Sequence, residues 1–169
     1  MVVFRLYINH KTSSEEWRNR IYDGSVFLMT KIDASQKLCD FAQECIKKYI
    51  DDKNPQSAYL DWPIEEFIDK TNALQGYFIN CQPVKDIIKN FVIEIGEDTE
   101  EYFFDVPRIR VIPNYDYLNS GVSYVYKAHR DTWYGMPSCQ INAWMPIFPI
   151  EPEEAMPLYP EYFSKRLEN

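Results

Sequence analysis

His129 and Asp131 stand two residues apart in the string His129-Arg130-Asp131-Thr132-Trp133-Tyr134-Gly135-Met136, and this is the pattern in the chain with the most pointed chemistry. In a β-strand, residues i and i+2 project from the same face, so a His-x-Asp triplet offers one imidazole nitrogen and one carboxylate oxygen to a single point in space. Those are two of the three ligands of a two-histidine, one-carboxylate facial arrangement. Three ligands on one face leave the opposite positions of a non-haem Fe(II) ion open for cosubstrate and O₂. The competing reading of the same triplet is a strand-end histidine hydrogen-bonded to its neighbouring carboxylate.

Immediately downstream, Cys139-Gln140-Ile141-Asn142-Ala143-Trp144-Met145 alternates in character. On a strand, Gln140, Asn142 and Trp144 share one face, and Ile141, Ala143 and Met145 share the other. Amides turned inward are costly unless they bind something. Gln140 and Asn142 are therefore candidates for contacts to a cosubstrate or to a metal ligand, with Arg110 a weaker one; the alternative is a pair of ladder-edge amides facing water. Trp133 and Tyr134, beside the metal pattern, are placed to wall a small-molecule pocket, or else to serve as plain rim aromatics. His10 lies in the polar run His10-Lys11-Thr12-Ser13-Ser14 and reads as a solvated loop residue. The pairs Asp51-Asp52, Glu65-Glu66, Glu100-Glu101 and Glu153-Glu154 read as solvated faces without catalytic work.

The elements that must position these residues fall into two halves. Val26-Phe27-Leu28-Met29, behind the Asp23-Gly24 turn, reads as a strand. A helix capped by Asp33 or Ser35 follows, with Leu38, Phe41, Ala42, Cys45, Ile46, Tyr49 and Ile50 on one stripe, and it ends before Asn54-Pro55. The spacing predicts a second helix from Pro63 to Leu74, capped by Asp61, with Ile64, Phe67 and Ile68 buried and Gly76 as its stop. Pro83 opens a third helix running to Ile95, and Gly96 sits where a C′ glycine belongs. From Glu97 onward the pattern becomes strands at 108–112, 122–126 and 138–145, with a polar loop at 114–121. Helices first and strands later is the order of an α+β fold. We read one domain over 1–169, a helical buttress with an N-terminal strand over 1–96 and a β half over 97–169.

The 169 residues suffice for one domain that buries roughly 70% of its unfolded surface. A 46% hydrophobic and 16% aromatic content separates the chain from disordered sequences. Its net charge of −8 gives no basic footprint for nucleic acid or an anionic membrane, which leaves a small molecule as the expected partner. No apolar run approaches the ~20 residues of a membrane span, and the first residues lack a signal-peptide pattern, so a cytoplasmic location is expected. The four cysteines show no C-x-x-C pairing and point to neither a zinc knuckle nor a disulfide framework.

From about residue 102 to 162 the chain resembles the Fe(II)/2-oxoglutarate-dependent dioxygenases of the phytanoyl-CoA dioxygenase-like group, and within it streptomycin-biosynthesis-type proteins. The resemblance rests on Pro107-Arg108-Ile109-Arg110-Val111, Ser120-Gly121-Val122-Ser123-Tyr124, Ala128-His129-Arg130-Asp131-Thr132-Trp133-Tyr134-Gly135 and Gln140-Ile141-Asn142-Ala143-Trp144-Met145-Pro146. It implies a double-stranded β-helix, or jelly roll, with helices packed on it and iron at its mouth. It also implies 2-oxoglutarate as cosubstrate and an oxidative reaction, such as hydroxylation, on a small molecule. His129 and Asp131 match the family's first two metal ligands. The family pattern also needs a distal histidine and an arginine for the far carboxylate of 2-oxoglutarate. The only histidine besides His129 is His10, so the chain reads as the N-terminal portion of such a protein, incomplete for catalysis. A non-catalytic binding or structural protein that keeps half of the barrel is the alternative.

Half a jelly roll leaves unpaired backbone groups and an uncovered apolar face, which proteins normally cover or pair. The expected outcome is self-association through that edge. Size-exclusion chromatography with light scattering checks it, and a clean monomer at high concentration counts against it.

Overall fold

A computed structural model of the chain describes residues 5–50, 54–100, 103–112, 129–159 and 162. Its order is β1 (Leu6–Ile8), α1 (Ser14–Tyr22), β2 (Val26–Leu28), α2 (Asp33–Ile50), α3 (Ala58–Asp61), α4 (Ile64–Asn80) and α5 (Gln82–Glu94), followed by extended chain with short 3₁₀ turns at Asp131–Tyr134 and Pro152–Glu154.

The core forms where three apolar stripes meet. In α2, Ala34, Leu38, Ala42, Cys45, Ile46 and Ile50 recur at three- and four-residue steps and are all buried. Phe67, Thr71, Leu74 and Phe78 do the same on α4, and Val84 and Val92 on α5. Helix α2 packs on both α4 and α5, and the fully buried Leu74 and Val84 lie in the shared cluster. Gly96 ends α5 as the sequence predicts. At φ 90° its N–H donates to the Ile93 carbonyl at 3.0 Å, while the Glu97 N–H donates to the Val92 carbonyl at 3.1 Å. Those two bonds make a Schellman closure, which favours glycine because a Cβ is strained at positive φ.

The helix ends differ from the sequence reading at three places. Helix α4 runs through Gly76 to Asn80 and does not stop at Leu74. A glycine inside a helix costs about 1 kcal/mol, whereas burying Phe78 one turn further along the stripe returns roughly 1.5–3 kcal/mol, so packing wins. Asp61 does not cap α4; it is the last residue of α3, and Pro63 occupies the cap position. Neither Asp33 nor Ser35 caps α2. Asp33 is its first residue, and the Ala34 N–H donates to both carboxylate oxygens of Glu94, each at 3.2 Å, so the end of α5 caps the start of α2.

Strand β2 lies where the apolar run 26–29 placed it, and it pairs in parallel with β1 in the register Leu6↔Val26, Tyr7↔Phe27, Ile8↔Leu28. Alternation puts Tyr7 and Phe27 on one face, stacked at 4.8 Å, with Trp17 of α1 against Phe27 at 6.0 Å. Leu6, Ile8 and Leu28 are exposed. The sequence reading missed β1 and α1. Helix α1 buries no residue, but its capping signal is present: Ser13 Oγ accepts the Glu16 N–H at 3.3 Å.

The fold is thus mixed, helices with a small two-stranded parallel sheet, and the sheet lies in the N-terminal half. Among the described residues of 97–169 no strand forms. The expected strand at 122–126 and the loop at 114–121 lie outside the described residues. Residues 108–112 and 140–145 carry no repeating secondary structure, and 138–139 form a turn in which the Gln140 N–H donates to the Pro137 carbonyl at 3.1 Å; the apolar residues here find helices in place of ladder partners. Ile109 is buried against the helical cluster and its carbonyl accepts Gln75 Nε2 at 3.0 Å, while Met145, Ile147 and Phe148 pack on the same cluster. No helix among the described residues is long and apolar enough to cross a membrane.

Leu74→Ala is expected to lower unfolding free energy by about 2–5 kcal/mol, because a fully buried leucine at a three-helix seam leaves a cavity. Urea denaturation checks it, with Leu60→Ala, at a 66% exposed position, as a near-neutral control.

Candidate metal centre

The backbone turns a corner at the His-x-Asp triplet. Arg130 is extended, with φ −107° and ψ 137°, and the next four residues, Asp131–Tyr134, wind into a single 3₁₀ turn. Gly135 closes it at φ 80°, its N–H donating to the Thr132 carbonyl at 3.2 Å. His129 and Asp131 therefore do not share a strand, as the sequence pattern suggests. They meet across the corner, with His129 Nε2 3.3 Å from Asp131 Oδ1. Tyr134, one turn on, sets its ring edge-on to the imidazole with centroids 5.0 Å apart. The Arg130 guanidinium donates to the Tyr162 carbonyl.

Residues 139–142 bring the amides to the same place. Asn142 Nδ2 donates to Asp131 Oδ2, and Gln140 Nε2 donates to Asn142 Oδ1 at 2.7 Å. The convergence of Gln140, Asn142, Asp131 and His129 expected from strand alternation is present, although no strand produces it. Clean alternation fails over this segment: Gln140 and Ile141 are both half-buried, and Asn142, Ala143 and Trp144 are all exposed. Trp133 and Tyr134 stand beside the cluster at 55% and 59% exposure, so their faces are open to a ligand. Arg110 does not join it. It lines a separate recess of about 90 Å³ with Gln75, Ile79 and Arg108. His10 lies 3.2 Å from an Arg20 guanidinium nitrogen and tilts against Tyr7.

Side chains of the helical half hold this segment in position. Tyr22 Oη donates to the Cys139 carbonyl at 2.8 Å, and Gln43 Nε2 donates to the Ile147 carbonyl at 2.8 Å. Cys39 Sγ donates to the Pro146 carbonyl at 3.5 Å, and burial pushes that thiol above its usual range. Sequence reasoning missed Tyr22 and Gln43. Their partners are more than a hundred residues away and are backbone atoms, which leave no mark in the residue types.

Zinc, a representative first-row ion, holds nitrogen and oxygen donors at roughly 2.0–2.2 Å, and two such donors at a right angle lie about 3 Å apart. The 3.3 Å between His129 Nε2 and Asp131 Oδ1 fits that spacing with little adjustment. Among the described residues no cluster of three His, Cys, Asp or Glu side chains completes a site, so the pair fits two positions of a facial triad and leaves the third to be supplied. Without a metal the pair is an imidazole–carboxylate contact, open to solvent at 29% and 42% side-chain exposure. Comparison with protein-family models, with curated proteins and with solved structures gives no match for this chain.

Removing the Gln43 donor should leave the half-buried Ile147 carbonyl short of a partner, at a cost of about 1 kcal/mol. Gln43→Leu is expected to speed limited proteolysis between residues 137 and 150 while leaving helical circular dichroism unchanged.

Proposed function

We propose that His129 and Asp131 are two protein ligands of a mononuclear Fe(II) centre that uses 2-oxoglutarate to oxidise, by hydroxylation in the simplest case, a small molecule. The observation that carries this reading is the 3.3 Å convergence of one imidazole nitrogen and one carboxylate oxygen, the donor types that suit Fe(II), at a solvent-open corner. The motif resemblance of residues 102–162 to phytanoyl-CoA dioxygenase-like proteins, read in the sequence alone, is the second ground for it. When bound, Fe(II) and 2-oxoglutarate would activate O₂, the oxidant, with one oxygen atom passing to the small molecule and the other to succinate as CO₂ leaves. The chain's own residues hold the metal through His129 and Asp131 and flank the substrate with Trp133 and Tyr134.

In this reading residues 97–169 contribute part of a jelly roll whose ladder partners lie beyond the described residues. The third metal ligand is a histidine supplied from outside these 169 residues, because His10 is engaged with Arg20 and Tyr7. The 2-oxoglutarate anchor comes from outside the cluster as well, since Arg110 faces the separate recess. The large exposed side chains of this half, among them Phe103, Trp144 and Leu158, support association with a second polypeptide surface. Four free cysteines and the acidic charge are consistent with a cytoplasmic protein acting on a small molecule. One observation favours a second reading, a non-catalytic binding protein that retains the corner alone: among the described residues no third metal-binding side chain is present.

Two ligands cannot hold both metal and cosubstrate firmly, so the 169-residue chain is expected to bind divalent metal weakly. It should also release no more succinate from 2-oxoglutarate than a His129→Ala control. Weak Mn(II) binding should vanish in His129→Ala and Asp131→Ala and persist in His10→Ala. Mn(II) binding that survives His129→Ala would overturn the assignment.

A further inference from the structure

We infer that Asn142 positions Asp131 and that Gln140 positions Asn142, so that the two amides serve the metal ligand. The inference rests on the metal reading above and specifies how its carboxylate is presented.

An ionised carboxylate only accepts hydrogen bonds, whereas an amide carries a donor end and an acceptor end. The contact between Asn142 and Asp131 therefore settles the orientation of the Asn142 amide: Nδ2 faces Asp131 Oδ2, and Oδ1 faces away. The outward Oδ1 receives Gln140 Nε2 at 2.7 Å, which requires that amide to present its own donor end. The result is a directional series, Gln140 to Asn142 to Asp131, in which each bond fixes the sense of the next. Its last member occupies Oδ2 and leaves Oδ1 as the oxygen 3.3 Å from His129 Nε2. A hydrogen bond on Oδ2 biases the carboxylate toward binding a metal through Oδ1, and a carboxylate held by one oxygen takes one coordination position where a bidentate one takes two.

Each amide commits one of its two N–H donors to this series, and the donor ends of both face along it toward Asp131. Tyr22, through its bond to the Cys139 carbonyl, fixes the chain one residue before Gln140 and so sets where the series begins. Groups that orient metal ligands in this way typically change metal affinity 10–100-fold when lost. Asn142 is exposed and water competes for the same carboxylate oxygen, so the low end of that range applies.

The test uses the 169-residue chain and Mn(II), with the electron paramagnetic resonance signal of free Mn(II) reporting binding in every variant and paramagnetic broadening of the His129 ring protons reporting its place in chains that keep both histidines. The chain has two histidines, so His10 serves as an internal reference in the same spectrum. Asn142→Leu, close in size but without a donor, should raise the Mn(II) midpoint about tenfold. Gln140→Leu should raise it less, and the double variant should be no worse than Asn142→Leu alone, because Gln140 acts only through Asn142. A merely structural contribution would give additive losses. Asn142→Ala provides a second truncation, and melting temperature and circular dichroism verify that every variant remains folded. An unchanged midpoint in folded Asn142→Leu, with Mn(II) binding lost in His129→Ala, overturns the positioning role and leaves the metal reading standing. Additive losses in the double variant overturn the series. Mn(II) binding that persists with an unchanged midpoint in His129→Ala overturns the metal reading, and this inference with it.

Discussion

Helix α2 buries six side chains along one stripe, packing against α4 and α5, and the described chain after residue 97 is held on that seam. Its first turn is capped by Glu94, which the end of α5 supplies only when the two helices are docked. Its other side presents Cys39 and Gln43 to the carbonyls of Pro146 and Ile147. Each hydrogen bond contributes on the order of 1 kcal/mol, while six buried apolar positions contribute several times more. The seam therefore sets the frame, and the polar ties select how the extended chain lies on it.

The His129–Asp131 corner belongs to the weaker part of this hierarchy. It sits on chain without repeating secondary structure, closed by one glycine at positive φ and tied to the helices through side-chain donors. Such an arrangement keeps both donor groups open to solvent. Water at the site weakens every electrostatic contact there, because charges interact far less strongly at high dielectric. A covering surface would strengthen the same contacts without moving an atom of the corner, and the exposed Trp133, Tyr134 and Trp144 are the side chains it would meet first.

The helices were legible because their information is local. A stripe with a 3.6-residue period, a proline near the start of α5 and a glycine at its C′ position each act within one or two turns. The pairing of His129 with Asp131, and the nearness of Gln140 and Asn142, were legible for a different reason. Short sequence separations restrict where side chains can go, so the right neighbours met even though the assumed strand did not form.

The sequence by itself determined that α2, α4 and α5 are helical, where α5 ends and which donor groups share the corner, since each depends on residues close along the chain. Only the tertiary structure decided the rest. Helix α4 passes Gly76 because Phe78 finds a buried place on the far side of it. The N-terminus of α2 is capped by a carboxylate 60 residues away. Residues 108–112 and 138–145 have the composition of strands, but a strand exists only through a partner's backbone. In this molecule the side chains of Gln75, Tyr22 and Gln43 meet carbonyls at and beside those segments, and no sequence pattern announces which of the two will happen.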